Sequence, residues 1–259
     1  MSAHTTAVIS SAAELGAGVE VGPYCIIEGR VRIGARTRLL SHVVIYGPAE
    51  IGEDCSFYSF CSIGSPPQDL KYKGEPTNLV IGVRNIFRES ITINRGTVGG
   101  GGVTRVGDDN FFMTLVHIAH DCHVGHHTIL GNAATLAGHV HIDDHAILGA
   151  YSGVHQFCRV GTHAYVGGYS VLTRDVLPYI KTVGQRNEAG IYGINTVGLA
   201  RKGFSQSSLE ALERAYRILF RSKLNTGDAL AMLKSNAAST AEVQTLITFI
   251  ETCERGFIR

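Results

Sequence analysis

An apolar residue recurs at every sixth position over most of this chain, and few folds tolerate that period. From Val106 the steps run through Phe112, Ile118, Val124, Leu130, Leu136, Ile142, Leu148, Val154, Val160, Val166 and Leu172, twelve anchors without a slip. An earlier register runs from Leu15 to Ile63 and resumes in phase at Ile81, Phe87 and Ile93. This is neither the alternation of a half-buried strand nor the 3.6-residue helical period. Repetition on this scale calls for a solenoid, in which each turn covers the apolar edge of the next. The fourth residue after an anchor is nearly always small or β-branched, as at Val31, Thr37, Val116, Ala134 and Val140, which suits a second inward position at a tight corner. Cys25, Cys55, Cys61, Cys122 and Cys158 share this phase, so packing accounts for them better than a disulfide, metal or catalytic role. Cys253 lies outside the repeat and also reads as structural.

Two excursions, near 65–80 and 96–105, interrupt the register. After Leu172 it fades, Pro178 opens a transition to about Asn195, and helical signals follow. Ser205 can cap a helix over 206–221, Asn225 or Thr226 can cap one reaching Lys234, and Ser239 with Glu242 resembles a capping box for a helix ending near Gly256. The expected organisation is an all-β parallel β-helix of hexapeptide repeats over 1–186, then a small α-helical C-terminal domain over 187–259.

A net charge of +1, from 23 Lys and Arg against 22 Asp and Glu, gives no broad basic surface for nucleic acid, so an anionic ligand must meet a local cluster. Neither a secretory leader pattern nor an apolar run of 18 residues occurs, and the expectation is a cytoplasmic protein without a transmembrane segment.

Chemistry concentrates in the histidines. Ten of the 12 fall between His117 and His163, and none occupies an inward phase. The sharpest cluster is VHIAHDC at 116–122, supported by GHV at 138–140 and VHQFC at 154–158. The repeat resembles that of hexapeptide-repeat proteins, in which three hexads make a coil of 18 residues; by that resemblance positions 18 apart stack in adjacent coils at roughly 4.8 Å, so His120, Gly138 and Gln156 form one row. A histidine can take a proton from an alcohol near neutral pH, and a neighbouring aspartate can fix its tautomer and stabilise its charged form. A solvated histidine-rich surface is the alternative reading. His127, His145 and His163 repeat at the same spacing and could bind zinc, a reading that rests on resemblance to the carbonic-anhydrase-like branch of hexapeptide-repeat folds, where histidines do so across subunits, although a surface stripe explains the shared phase. In the first excursion, SPPQDLKYKGEP, Lys71 could engage phosphate while Gln68 and Asp69 orient a sugar, or all could be solvated. Arg201 and Lys202, in NTVGLARKGF, suit a phosphorylated carrier or a basic surface turn. Neither a dinucleotide fingerprint nor a Walker loop appears in its required context.

The ordered motifs IGSPPQDLKY, IFRESITINRGT, HIAHDC, LAGHV, VHQFC, VGG and GFS, spread over essentially the whole chain, resemble the UDP-N-acetylglucosamine 3-O-acyltransferases of bacterial lipid A synthesis, a hexapeptide-repeat family. The resemblance implies a left-handed β-helix, a homotrimer, and transfer of an R-3-hydroxyacyl group to the 3-hydroxyl of UDP-N-acetylglucosamine. The donor is carried on the phosphopantetheine arm of acyl carrier protein, with no permanently bound cofactor and no metal. By the same resemblance His120 is the general base, Asp121 orients it, and the Gly138 N–H stabilises the oxyanion during direct attack on the thioester. His117, His139 and His155 look like substrate-positioning residues, with Gln68, Asp69 and Lys71 on the acceptor side. Asn195 is similar to a nucleotide-recognition position, and Gln156, Arg201 and Lys202 to positions around the phosphopantetheine arm or carrier.

Tyr165 and Gly168 resemble positions near the end of the acyl groove. Glycine there leaves room for a tail near C14, each buried methylene contributing about 0.8 kcal/mol. Three features depart from the family pattern. Val197 stands where glutamate is expected, Lys202 replaces an arginine and loses its bidentate geometry, and the 184–190 segment is longer. An acceptor with a 3-amino group, giving an amide, therefore stays open, as do a coenzyme A-dependent sugar acyltransferase and a noncatalytic trimeric scaffold.

Overall fold

The computed structural model describes residues 2–185, 188–235 and 240–259, and the repeat winds a left-handed parallel β-helix of about 10 turns. Among the described residues its short strands stack into sheets of 11, 9 and 8 strands, the three faces of a prism. The A face carries Ile129–Leu130, Ile147–Leu148 and Tyr165–Val166, the B face His117–Ile118, Thr135–Leu136 and Gly153–Val154, and the C face His123–Val124, His141–Ile142 and Arg159–Val160. Strands pair at the repeat of one coil, as in His117 with Thr135 and His123 with His141. Every anchor from Val21 to Leu172 is at most 4% exposed, and the five cysteines at the fourth position are buried with them. Leu15, near the open first coil, is only partly covered.

The third residue after an anchor turns each corner. Leu115, Asp121, His127, Ala133, His139, His145, Tyr151, Phe157 and His163 all have left-handed backbone, with φ between 54° and 64°. Non-glycine residues adopt this conformation at a cost, which the strand ladder around every corner offsets. Side chains at this phase form outward columns along the prism edges. Tyr24, His42 and Phe60 stack on one, and His127, His145 and His163 on another.

Both excursions are narrower than expected, because their ends pair before leaving the prism. The first lies between Ser62–Ser65 and Asn78–Ile81, the second between Thr92–Asn94 and Val103–Val106. The first is tied down by Arg95, which donates to Gly64 O at 2.9 Å and to the Tyr72 hydroxyl at 3.1 Å.

Ile180–Val183 extends the A face and pairs antiparallel with Gly190–Ile194. The divide expected at 186/187 falls between these two strands, and residues 186 and 187 lie outside the described residues. Four helices follow among the described residues: α1 (Thr196–Arg201), α2 (Gln206–Arg221), α3 (Thr226–Lys234) and α4 (Ala241–Glu251). Ser205 and Asn225 cap α2 and α3, accepting the Ser208 and Asp228 N–H groups. Short α1 was not anticipated. Thr240 caps α4, and the expected cap Ser239 lies outside the described residues. α4 also stops before Gly256, because the tail must turn back to the prism: Ile258 donates to Asp175 O at 2.9 Å and is buried in the β-helix core. None of the described helices is long and apolar enough to cross a membrane.

Packing gives the histidine column a pH dependence. Burial, with the neighbouring His145 and Lys202 charges, pushes His163 down to about 4, and burial lowers His145 as well. A folded value below the unfolded value means that the unfolded chain takes up the proton more readily. This contribution to stability is complete above about pH 6.5 and is lost as pH falls toward the folded value. The melting temperature should therefore drop between pH 7 and pH 5. His163→Phe, which preserves a stacked ring, should show a shallower drop by calorimetry. Equal slopes would contradict the assignment.

Candidate active site

The edge between the B and C faces gathers most of the candidate residues. His120 and Asp121 follow Ile118 into the corner, where left-handed φ at Asp121 turns its side chain out of the prism. The carboxylate is nevertheless fully buried, because the second excursion folds over it. Thr97 donates its N–H to Asp121 Oδ1 at 2.8 Å and its hydroxyl to Oδ2 at 2.6 Å. The Asp121 N–H in turn reaches Thr104 Oγ1 at 2.8 Å. Gly100 packs so closely that a Cβ there would lie 2.0 Å from Asp121 Cγ.

His120 Nδ1 lies 2.8 Å from Asp121 Oδ2, an oxygen that already accepts the Thr97 hydroxyl, so the imidazole donates from Nδ1. Its Nε2 then carries the free lone pair and has no partner among the described residues. The side chain is 15% exposed, open enough to meet a ligand and covered enough to be held. Gly138, one coil on, lies directly against it: a Cβ would sit 2.6 Å from His120 Cε1. The Gly138 N–H has no acceptor among the described residues. A base nitrogen and an unused backbone donor thus occupy neighbouring coils, the pair needed to deprotonate a hydroxyl and hold a developing oxyanion.

His139 meets His120 edge-on, with ring centroids 5.2 Å apart, and stacks on Phe157 at 4.4 Å. Its Nε2 is 3.8 Å from Asp121 Oδ2, too far for a hydrogen bond. His117 Nδ1 lies 2.7 Å from Thr92 Oγ1. Burial lowers the pKa of both His117 and His139; His120 adds to the effect at His117, while Asp121 and Asp69 oppose it at His139. Gln68 and Lys71 are exposed on the first excursion, the loop that carries Asp69. Gln156 is exposed beside Phe157, and His155 Nδ1 lies 3.2 Å from Gln156 O.

Ligand atoms of His120, Asp121 and His139 lie within 4.8 Å of one another, as a metal site would require. The His120–Asp121 hydrogen bond and the two Thr97 donors already use the facing atoms. In the His127, His145 and His163 column the rings lie face to face, with centroids 4.8 and 4.5 Å apart, rather than turning their nitrogens to one point.

Other candidates lie elsewhere on the same chain. Asn195, 9% exposed, donates to His163 O at 3.2 Å, which docks the start of α1 on the edge between the C and A faces. Arg201 and Lys202 are exposed at the end of α1, and Val197 is 64% exposed on it. Tyr165 projects from the A face, and Gly168 lies on the way to the A/B edge. A cavity of about 300 Å³ borders Asp121, His139, Phe157, Arg159 and Arg255. A larger concavity, about 720 Å³, spreads over His123 and His141 on the C face and contains none of the candidate residues. Thr97, Gly100 and Thr104 escaped the sequence reading; the one sign of them was the irregular segment itself, which could not be paired with Asp121 by counting.

A family pattern described as Udp N-acetylglucosamine O-acyltransferase, Domain 2, matches residues 175–258. An acyl-carrier-protein:UDP-N-acetylglucosamine O-acyltransferase from Thermodesulfovibrio yellowstonii is 52% identical over 256 residues, covering 99% of this chain and 98% of the relative. Solved UDP-N-acetylglucosamine acyltransferases from Francisella novicida and Arabidopsis superpose with TM-scores of 0.95 and 0.86 at 40% and 32% identity. The first match covers 99% of this chain and 93% of the other, the second 99% and 100%. Shared sequence over nearly the full length, the same solenoid and the same helical end leave one assignment: the chain is an enzyme of the acyl-carrier-protein:UDP-N-acetylglucosamine O-acyltransferase family.

Proposed function

We propose that this enzyme moves an R-3-hydroxyacyl group from acyl carrier protein to the 3-hydroxyl of UDP-N-acetylglucosamine, the first step of lipid A synthesis, in the cytoplasm. The observation carrying the mechanism is the His120 ring, held through Nδ1 by Asp121 with Nε2 free beside the Gly138 N–H. Nε2 takes the proton of the sugar hydroxyl as its oxygen attacks the thioester carbonyl. The tetrahedral oxyanion faces the Gly138 N–H, and collapse expels the phosphopantetheine thiolate, which recovers the proton from His120. The donor brings its own activated carbonyl, so the chemistry needs no resident cofactor. His117, His139 and His155 position the acceptor with Gln68, Asp69 and Lys71.

The two separated edges support a homotrimer. Asn195, Arg201 and Lys202 sit on the C/A edge and reach a catalytic B/C edge only if a neighbouring copy supplies one of them. A ridge along the third edge, with Tyr24, Phe60, Leu115, Tyr151 and Tyr169 each 54% exposed or more, offers the apolar surface for that packing. In the trimer Asn195 contacts the nucleotide, and Gln156, Arg201 and Lys202 contact the phosphopantetheine arm or carrier. Amide formation on a 3-amino UDP-sugar is the second reading, favoured by Val197, whose side chain offers no hydrogen bond to an acceptor.

Product mass spectrometry, with both sugars competing for carriers loaded with C10 to C16 hydroxyacyl groups, tests the assignment. An ester of UDP-N-acetylglucosamine supports the first reading, selective amide formation moves it to the second, and turnover with acetyl-coenzyme A alone overturns both. The tail should be near C14. Gly168→Met should shift the preference by about two carbons or more toward shorter tails, since each lost methylene contact is worth about 0.8 kcal/mol. Unchanged chain selectivity would remove Gly168 from the acyl path.

A further inference from the structure

We infer that Thr97 is a positioning residue for the acyl transfer: it aims Asp121 at His120 and away from His139. The inference rests on His120 acting as the base. The Thr97 hydroxyl accepts the Gly100 N–H at 3.2 Å, so its own proton points to Asp121 Oδ2, 2.6 Å away. Its backbone N–H holds the other carboxylate oxygen at 2.8 Å. One residue therefore fixes both oxygens and sets the rotation of the carboxylate.

That rotation decides between two histidines. Oδ2 lies 2.8 Å from His120 Nδ1 and 3.8 Å from His139 Nε2. A modest turn of the carboxylate would exchange the partners and leave His120 without its orienting bond. Two further features resist the turn. Gly100 closes over Cγ, and Asp121 is 2% exposed, so water cannot replace the lost donor, while Thr104 accepts the Asp121 N–H and holds the backbone beneath it. Thr97 lies inside the second excursion and Thr104 on the strand that follows it, and together they make that excursion a clamp on the orienting aspartate rather than an incidental bulge.

Thr97→Val keeps the shape and the backbone N–H and removes only the hydroxyl. Steady-state kinetics should show kcat down about 10- to 100-fold, the usual effect of losing one charge-assisted hydrogen bond, with KM for the sugar changed less than about 2-fold. Thr97→Ser should restore most of kcat. In an Asp121→Ala background the valine change should have no further effect, since nothing remains for the hydroxyl to aim. If the valine variant does not fold, Thr97→Ala compared with Thr97→Ser gives the same readout. Unchanged kcat, a loss confined to KM, or an equal loss in the Asp121→Ala background would overturn the inference. His120→Ala separates the two levels: if it stays active the base assignment fails, whereas an inactive His120→Ala beside a fully active Thr97→Val defeats only the role of Thr97.

Discussion

His120→Ala should reduce acyl transfer by about 1,000-fold or more while leaving the melting temperature nearly unchanged. A positioned general base contributes about 100- to 10,000-fold, and His120 has the features that place it at the upper part of that range. Its Nδ1 is engaged by a carboxylate with its own donors fixed, so little reorganisation is left for the reaction step. The core should not register the loss, because His120 sits outside the anchor and fourth-residue phases that fill the prism. Asp121→Asn should fall in the same direction with a larger structural cost, since its amide would face the Thr97 donors. Rates and thermal melts on the same preparations check both statements. A folded His120→Ala protein with turnover within about 10-fold of the parent would remove His120 from the chemistry.

Gly138→Ala should lower turnover by about 100-fold, although it adds one methyl group at a distance from the hydrophobic core. The added Cβ would stand 2.6 Å from His120 Cε1, well inside contact distance, so the imidazole must move. Displacement of a catalytic group by about 1 Å is enough for a loss of that size. The methyl also crowds the space in front of the backbone N–H assigned to the oxyanion. A fall in kcat with bound sugar still detectable by calorimetry is the expected pattern. Unaltered kcat would mean that the base and the backbone donor are not partners in one site.

The prism was legible because burial writes directly into sequence at a fixed period. Anchors such as Phe112 and Leu148, and fourth residues after an anchor such as Cys122 and Ala146, face the interior for the same reason in every coil. The outward columns were less legible, since nothing in the residue types at 127, 145 and 163 announces left-handed backbone. His120, Gly138 and Gln156 could be set in one row by counting, one coil being a constant step, whereas the convergence of His120 and Asp121 depends on the corner between them. Thr97 could not: it contacts Asp121 across an insertion, where the step is lost. Helix α1 escaped for a related reason, since Gly198 and a six-residue length give almost no periodic signal. The end of α4 was set by the tail returning to Asp175, a long-range contact that capping rules do not encode. Arg201 and Lys202 were singled out by residue type and Asn195 by resemblance, but their separation from His120 within one chain became visible only in three dimensions.

Direct transfer, with His120 activating the sugar hydroxyl and no group on the protein taking the acyl chain, is the centre of the account. The five buried cysteines fit it: burial raises the pKa of each thiol and keeps it from solvent. Intact-protein and product masses recorded through a single turnover, with hydroxyacyl carrier protein added before and after UDP-N-acetylglucosamine, test it most directly. The expected result is an unmodified protein mass throughout and an acylated sugar formed only when both substrates are present. An acylated protein that appears before the sugar is added and discharges when it arrives would contradict it.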